Sequence, residues 1–298
     1  MIALTIEARE KRNAALSSVI AAIFLTSFKF IVGITTGSLG IISEALHSSL
    51  DLIAALITFF AVSIADKPAD EDHQFGHGKF ENLSAFFETI LLVITCIWIV
   101  QEAIRRLTTG ETEIVVNAWS FIVVITAIII DFTPSRVLIR TAKKYNSQAL
   151  EADGLHFSTD ILSSSVVLVG LICSYFGLYF VDSIASLGVA VIVLFISYNI
   201  GKRAIDALLD RTSISITNKI TSLAKEIPQI FRVHSIKSRQ SGASTLIEVT
   251  IEVDPNLSVT EGHEIATKYE NLLNSNFNKA QINIHIEPYR EESTEKTS

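Results

Sequence analysis

Long apolar blocks and short polar breaks alternate through the first two thirds of the chain. About 20 mostly apolar residues cross a bilayer core as a helix. Stretches of that kind lie at about 14–34, 40–65, 83–107, 114–139, 150–176 and 181–204. The breaks between them are short, so successive helices are expected to be antiparallel neighbours. From about residue 212 the pattern changes. Ile214 to Ile227 has helical amphipathic spacing and ends at Pro228. Phe231 to Arg239 reads as a strand. Leu246 to Val253 alternates well, with Ile247, Val249, Ile251 and Val253 on one face and Glu248, Thr250 and Glu252 on the other, as a strand does. Ser258 to Asn276 reads as a helix with a Ser or Thr cap. Ile282, Ile284 and Ile286 alternate with Asn283, His285 and Glu287 as a last strand. The expected architecture is a six-helix membrane bundle followed by a small α+β domain of order α-β-β-α-β. The expected boundaries are 1–210 for the bundle, 211–290 for the second domain and 291–298 for a disordered tail.

Total composition does not reveal this division. The chain is 49% apolar, close to the average for soluble domains; the distribution decides. The net charge of −7 and the lack of any Lys/Arg-rich tract argue against nucleic acid as a partner. Cys96 and Cys173 both lie inside apolar blocks and read as small buried hydrophobes. The first twelve residues carry Glu7, Arg9, Glu10, Lys11 and Arg12 and no short apolar core with a cleavage site. Membrane insertion is therefore expected from the spans themselves.

Basic residues near the span ends set the orientation. Arg9, Lys11, Arg12, Lys67, Lys79, Arg136, Arg140, Lys143, Lys144, Lys202, Arg203 and Arg211 fall on one side, against Arg105 and Arg106 on the other. Both termini and the second domain are thus expected in the cytoplasm. The short loops, with no His-rich insertion between spans four and five, point to a prokaryotic cytoplasmic membrane.

Ionisable residues inside spans are costly unless paired, hydrated or metal-bound. Lys29, Glu44, His47, Asp51, Glu88, Asp131, His156 and Asp160 are of this kind. Two pairs among them share a spacing: His47 and Asp51 in the second span, His156 and Asp160 in the fifth. Residues i and i+4 lie on one face of a helix, so each pair offers an imidazole nitrogen and a carboxylate to one point. A single pair would more readily be a polar helix–helix contact. Two pairs at similar depth make two nitrogens and two oxygens, a donor set that suits tetrahedral zinc. Magnesium and calcium prefer all-oxygen shells, and copper(I) prefers sulfur. Cadmium and cobalt fit the set, iron and manganese less well.

The stretch Ser38-Leu39-Gly40-Ile41-Ile42-Ser43-Glu44-Ala45-Leu46-His47, continued to Asp51, resembles the signature of the cation diffusion facilitator family. Residues His156 to Ser164 are similar to that family's fifth-helix motif, and the layout of six spans and a small cytoplasmic domain also matches. The resemblance implies efflux of zinc or a related divalent cation from the cytoplasm in exchange for protons. It further implies alternating access by a homodimer, with His47, Asp51, His156 and Asp160 as the transport site. Leu155 matches a position of the hydrophobic gate. Glu44 departs from the family, which usually has Asp or Ala there. Metal binding requires neutral imidazoles and ionised carboxylates, so proton exchange is chemically reasonable in its own right.

The most polar loop, Pro68 to Lys79, contains three acids and two histidines four apart. Taken alone it is a solvated acidic loop that concentrates cations. The resemblance implies a second metal site at Asp70, His73 and His77. In the second domain His285 and Glu287 share a polar strand face, and with His234 and His263 they are candidates for a regulatory zinc site. These four match metal-binding positions of the family's cytoplasmic domain. Thr250 stands where zinc-binding relatives often carry a further His, so one site is expected there rather than a two-metal cluster.

Two rivals differ in class. An intramembrane metalloenzyme would need an open coordination position, and no His-Glu-x-x-His or Gly-x-Ser-x-Gly occurs. A secondary active transporter is therefore expected, not an enzyme. The other rival is a non-transporting metal sensor or partner subunit with the same fold.

Overall fold

The computed structural model describes residues 5–109, 118–175 and 180–290. Residues 114–117 of the fourth expected span, residue 176 of the fifth and the expected disordered tail 291–298 lie outside them. The chain divides into two compact units, Met1–Ile205 and Asp206–Ser298.

The first unit holds six helices: α1 (Ile6–Thr36), α2 (Leu39–Ala65), α3 (Lys79–Thr109), α4 (Ala118–Tyr145), α5 (Gln148–Tyr175) and α6 (Phe180–Leu208). Each contains a stretch long and apolar enough to cross a membrane. Several run past the expected spans, because apolar windows find only the part of a helix that lipid surrounds. Thus α1 starts eight residues before residue 14, with Thr5 Oγ1 accepting from the Ala8 N–H at 3.2 Å. It ends at Gly37, whose φ of +65° supplies the left-handed cap, and Ser38 then caps α2.

Helix α5 packs against α2, α3 and α4, and α1 against α2 and α4. Small residues make the contacts, among them Ala14, Ala15, Ala55, Ala85, Ala152 and Ala204, as expected where lipid supplies no hydrophobic drive for helix association. At Gly154 a Cβ would meet Leu138 Cβ at 3.0 Å and the Ile139 nitrogen at 3.1 Å. This glycine lets α5 close on α4 two residues before His156. Large apolar side chains such as Ile34, Ile129, Val191 and Phe195 point outward. Cys96 is buried with Leu92, Val189 and Val193, and both cysteines are free thiols.

Near the start of α1, Lys11 is 1% exposed. Its Nζ donates to Glu81 Oε1 at 2.8 Å and to Asp66 Oδ1, joining α1 to the end of α2 and the first turn of α3. Hydropathy cannot anticipate such a contact, because a lysine at a span end normally reaches for water.

The second unit has the expected order: α7 (Ile214–Ala224), β1 (Arg232–Ser241), β2 (Ser244–Val253), α8 (Val259–Asn276) and β3 (Ala280–Pro288). The sheet order is β1-β2-β3, with β1 antiparallel and β3 parallel to β2. Ile247, Val249, Ile251 and Val253 face Ile220, Leu223, Ile265, Tyr269 and Leu273 in one core. Both helices therefore cover the odd-numbered face of β2, which leaves Thr250 and Glu252 on the other.

Candidate metal centres

The intramembrane centre draws on α2 and α5. His156 Nε2 lies 3.1 Å from Asp51 Oδ1 and 3.6 Å from Asp160 Oδ2. One donor atom from each of Asp51, His156 and Asp160 falls within 4.8 Å of the others. His156 is 4% exposed, and the two carboxylates are partly accessible. One imidazole and two carboxylates can hold a divalent cation and leave a position open.

His47 is the expected member that does not join this trio in the described conformation. Its ring lies against Trp98 of α3, with centroids 5.7 Å apart. The i, i+4 spacing puts His47 and Asp51 on one face of α2, but the rotamer and the neighbouring helix decide where the ring points.

Other buried polar groups surround the trio. Lys29 Nζ donates to Ser48 Oγ at 2.8 Å and lies 3.4 Å from Glu44 Oε2, so Lys29 is paired across α1 and α2. Glu88 of α3 is 1% exposed, and its Oε2 lies 3.6 Å from His156 Nδ1. Asp153, which the hydropathy reading passed over, is 1% exposed and accepts from Ser18 Oγ at 2.8 Å.

In the loop after α2, Asp70, His73 and His77 come together as a second metal-capable group. Asp70 Oδ2 lies 3.3 Å from His77 Nε2, and Asp70 Oδ1 lies 3.2 Å from His73 Nδ1. The His73 backbone N–H donates to Asp70 Oδ1 at 2.7 Å and holds that carboxyl below the usual carboxylate range. Asp70 thus stays anionic as the pH falls through the range where an ordinary carboxylate begins to protonate.

On the helix-free face of the sheet a third group forms from His234, Glu252 and Glu287. His234 Nδ1 is 3.1 Å from Glu252 Oε1, and His234 Nε2 is 3.5 Å from Glu287 Oε2. His285 Nε2 lies 3.4 Å from Glu287 Oε1 at the edge of the group. His263 sits on α8, which covers the opposite face, and joins no such group among the described residues. Glu252 was not anticipated. Alternation already placed it beside Thr250 on the polar face, but only the register that sets Glu252 against Glu287 brings the two carboxylates together.

Residues 15–209 match the cation efflux transmembrane domain family, and residues 215–289 match the cation efflux protein cytoplasmic domain. The chain is 35% identical over 280 residues to an uncharacterized transporter of Methanocaldococcus jannaschii, covering 94% of this chain and 99% of the relative. It is 30% identical over 284 residues to the cation-efflux pump FieF of Yersinia enterocolitica, covering 94% of each. Among solved structures, a cadmium form of the MamM CTD matches with 22% identity and a TM-score of 0.25, covering 26% of this chain and 98% of that one. With both domains matched in order and relatives aligned along nearly its whole length, this integral membrane protein belongs to the cation diffusion facilitator family of cation-efflux transporters.

Proposed function

We propose that the protein exports zinc from the cytoplasm in exchange for protons, with Asp51, His156 and Asp160 as the core of the transport site. The observation that carries this reading is the convergence of one imidazole and two carboxylates inside the membrane-spanning unit. Nitrogen and oxygen donors in this ratio favour zinc, with cadmium, cobalt and iron(II) as alternatives. His47 completes the set by turning away from Trp98. Zinc entering the site displaces any proton shared between His156 and the carboxylates, and release of zinc lets protons return. That reciprocity is what exchange requires. The Lys/Arg asymmetry supports cytoplasmic termini, and the family supports alternating access by a homodimer. The domains are taken as 1–210 and 211–290.

In proteoliposomes, zinc flux should change direction with the sign of an imposed pH gradient. Flux that follows only the zinc gradient would turn the reading to a uniporter. No flux with zinc, cadmium, cobalt or iron(II) would turn it to a sensor or partner subunit.

The same reading assigns Asp70, His73 and His77 to a surface site. It assigns His234, Glu252 and Glu287, with His285 at the edge, to a regulatory site in the cytoplasmic domain. The donors fit zinc there: His234 Nδ1, in ion-pair contact with Glu252 Oε1, and Glu252 Oε2 are buried and have no hydrogen-bond partner among the described residues. Equilibrium dialysis of the full chain should show His77→Ala and His234→Ala each losing one zinc per chain. His263→Ala should lose none. Unchanged stoichiometry in His234→Ala would remove the regulatory site.

A further inference from the structure

Glu88 sits behind His156, on the side of the ring away from Asp51 and Asp160. An imidazole carries its two nitrogens on separate edges. In His156, Nε2 faces the two aspartates and Nδ1 faces Glu88. His156 Nδ1 and Glu88 Oε2 are 3.6 Å apart, both buried, and neither atom has a hydrogen-bond partner among the described residues. Glu88 is itself held in place. Thr58 Oγ1 of α2 donates to Glu88 Oε1 at 3.2 Å, and that hydroxyl lies 3.1 Å from Ser84 Oγ, one turn before Glu88 on α3. The carboxylate thus has one oxygen tied to α2 and the other aimed at the ring on α5.

We propose that Glu88 is a positioning residue for the transported metal: it accepts the Nδ1–H of His156 and so keeps the Nε2 lone pair free for the ion. The inference rests on the transport-site reading above. A neutral imidazole has one proton and two places for it. Only the tautomer protonated on Nδ1 presents a metal ligand toward Asp51 and Asp160. Without Glu88, the nearest acceptors for the ring proton are those two aspartates, on the Nε2 side. The proton would then occupy the position the metal needs. Metal-ligating histidines commonly give their other N–H to a carboxylate, which fixes the ring and raises its basicity. A separation slightly beyond hydrogen-bond length is usual before the site is engaged. Glu88 makes no contact with the ion.

The test is the zinc concentration for half-maximal flux in proteoliposomes. Glu88→Ala should raise it by about 10–100-fold while changing the maximal rate less. Glu88→Gln should stay close to the wild-type value, because its amide oxygen can still accept from Nδ1–H. An unchanged half-saturation in Glu88→Ala would overturn the proposal. So would a Glu88→Gln variant as impaired as Glu88→Ala, which would make the charge and not the acceptor the cause. If Glu88→Ala is not monodisperse, Thr58→Val carries the test. It releases Glu88 Oε1 and should raise half-saturation in the same direction; no change would overturn the proposal. Undiminished flux in Asp51→Ala would instead refute the transport site itself, so the two failures are distinguishable.

Discussion

Zinc flux through the variant Asp51→Ala plus Asp160→Ala is expected to fall to the level of protein-free liposomes. Loss of an outer hydrogen-bond partner of a metal ligand typically costs about 10–100-fold, and removing two of the three converging donors should exceed that. A divalent ion would then meet one neutral imidazole in a largely buried site, and its lost hydration would go uncompensated. The fold should survive. Asp51 and Asp160 both lie against His156, and removing buried acids kept for function often leaves stability unchanged or raises it. Thermal unfolding in detergent should therefore show a midpoint at or above that of the wild type, which separates lost function from lost structure. Flux equal to wild type in a well-folded variant would move the pathway away from this trio.

The largest expected effect on stability belongs to Lys11. Lys11→Met should lower the stability of the membrane-spanning unit by about 3–5 kcal/mol, the usual consequence of leaving a buried charge without its partner. Glu81 is the charge left behind. It is 1% exposed, and its second oxygen, Oε2, already has no hydrogen-bond partner among the described residues. Asp66, more exposed, should contribute less, since water can screen it. Combining Lys11→Met with Glu81→Met should recover most of the loss, because replacing both members of a buried ion pair by apolar residues is often neutral or stabilising. Denaturant unfolding in detergent, followed by tryptophan fluorescence, measures both variants. An unshifted midpoint in Lys11→Met would mean that the cluster adds nothing to stability.

Much of this protein is readable without coordinates, for reasons of physics. A bilayer demands about 20 apolar residues per helix, so the six spans stand out. A strand sends successive side chains to opposite faces, so the alternation in β2 and β3 stands out as well. The i, i+4 rule put Asp51 on one face of α2 and paired His156 with Asp160 on α5. Asp70, His73 and His77 lie within eight residues, but in a loop that by itself reads as solvated and acidic; it was the resemblance that implied a site there. These are local constraints, and a local pattern in the chain can express them.

Local pattern along the chain thus establishes which residues share an element and a face. Tertiary structure decided which faces meet, and at what depth. It turned His47 toward Trp98 and set Glu88 behind His156. It sank Lys11 between Asp66 and Glu81. In the second domain it placed Glu252 beside Glu287 and His234, and left His263 on the opposite layer. Each of these depends on the rotation, register or rotamer of one element against another. Periodicity along a single chain segment carries no information about those quantities, because packing between separate elements sets them.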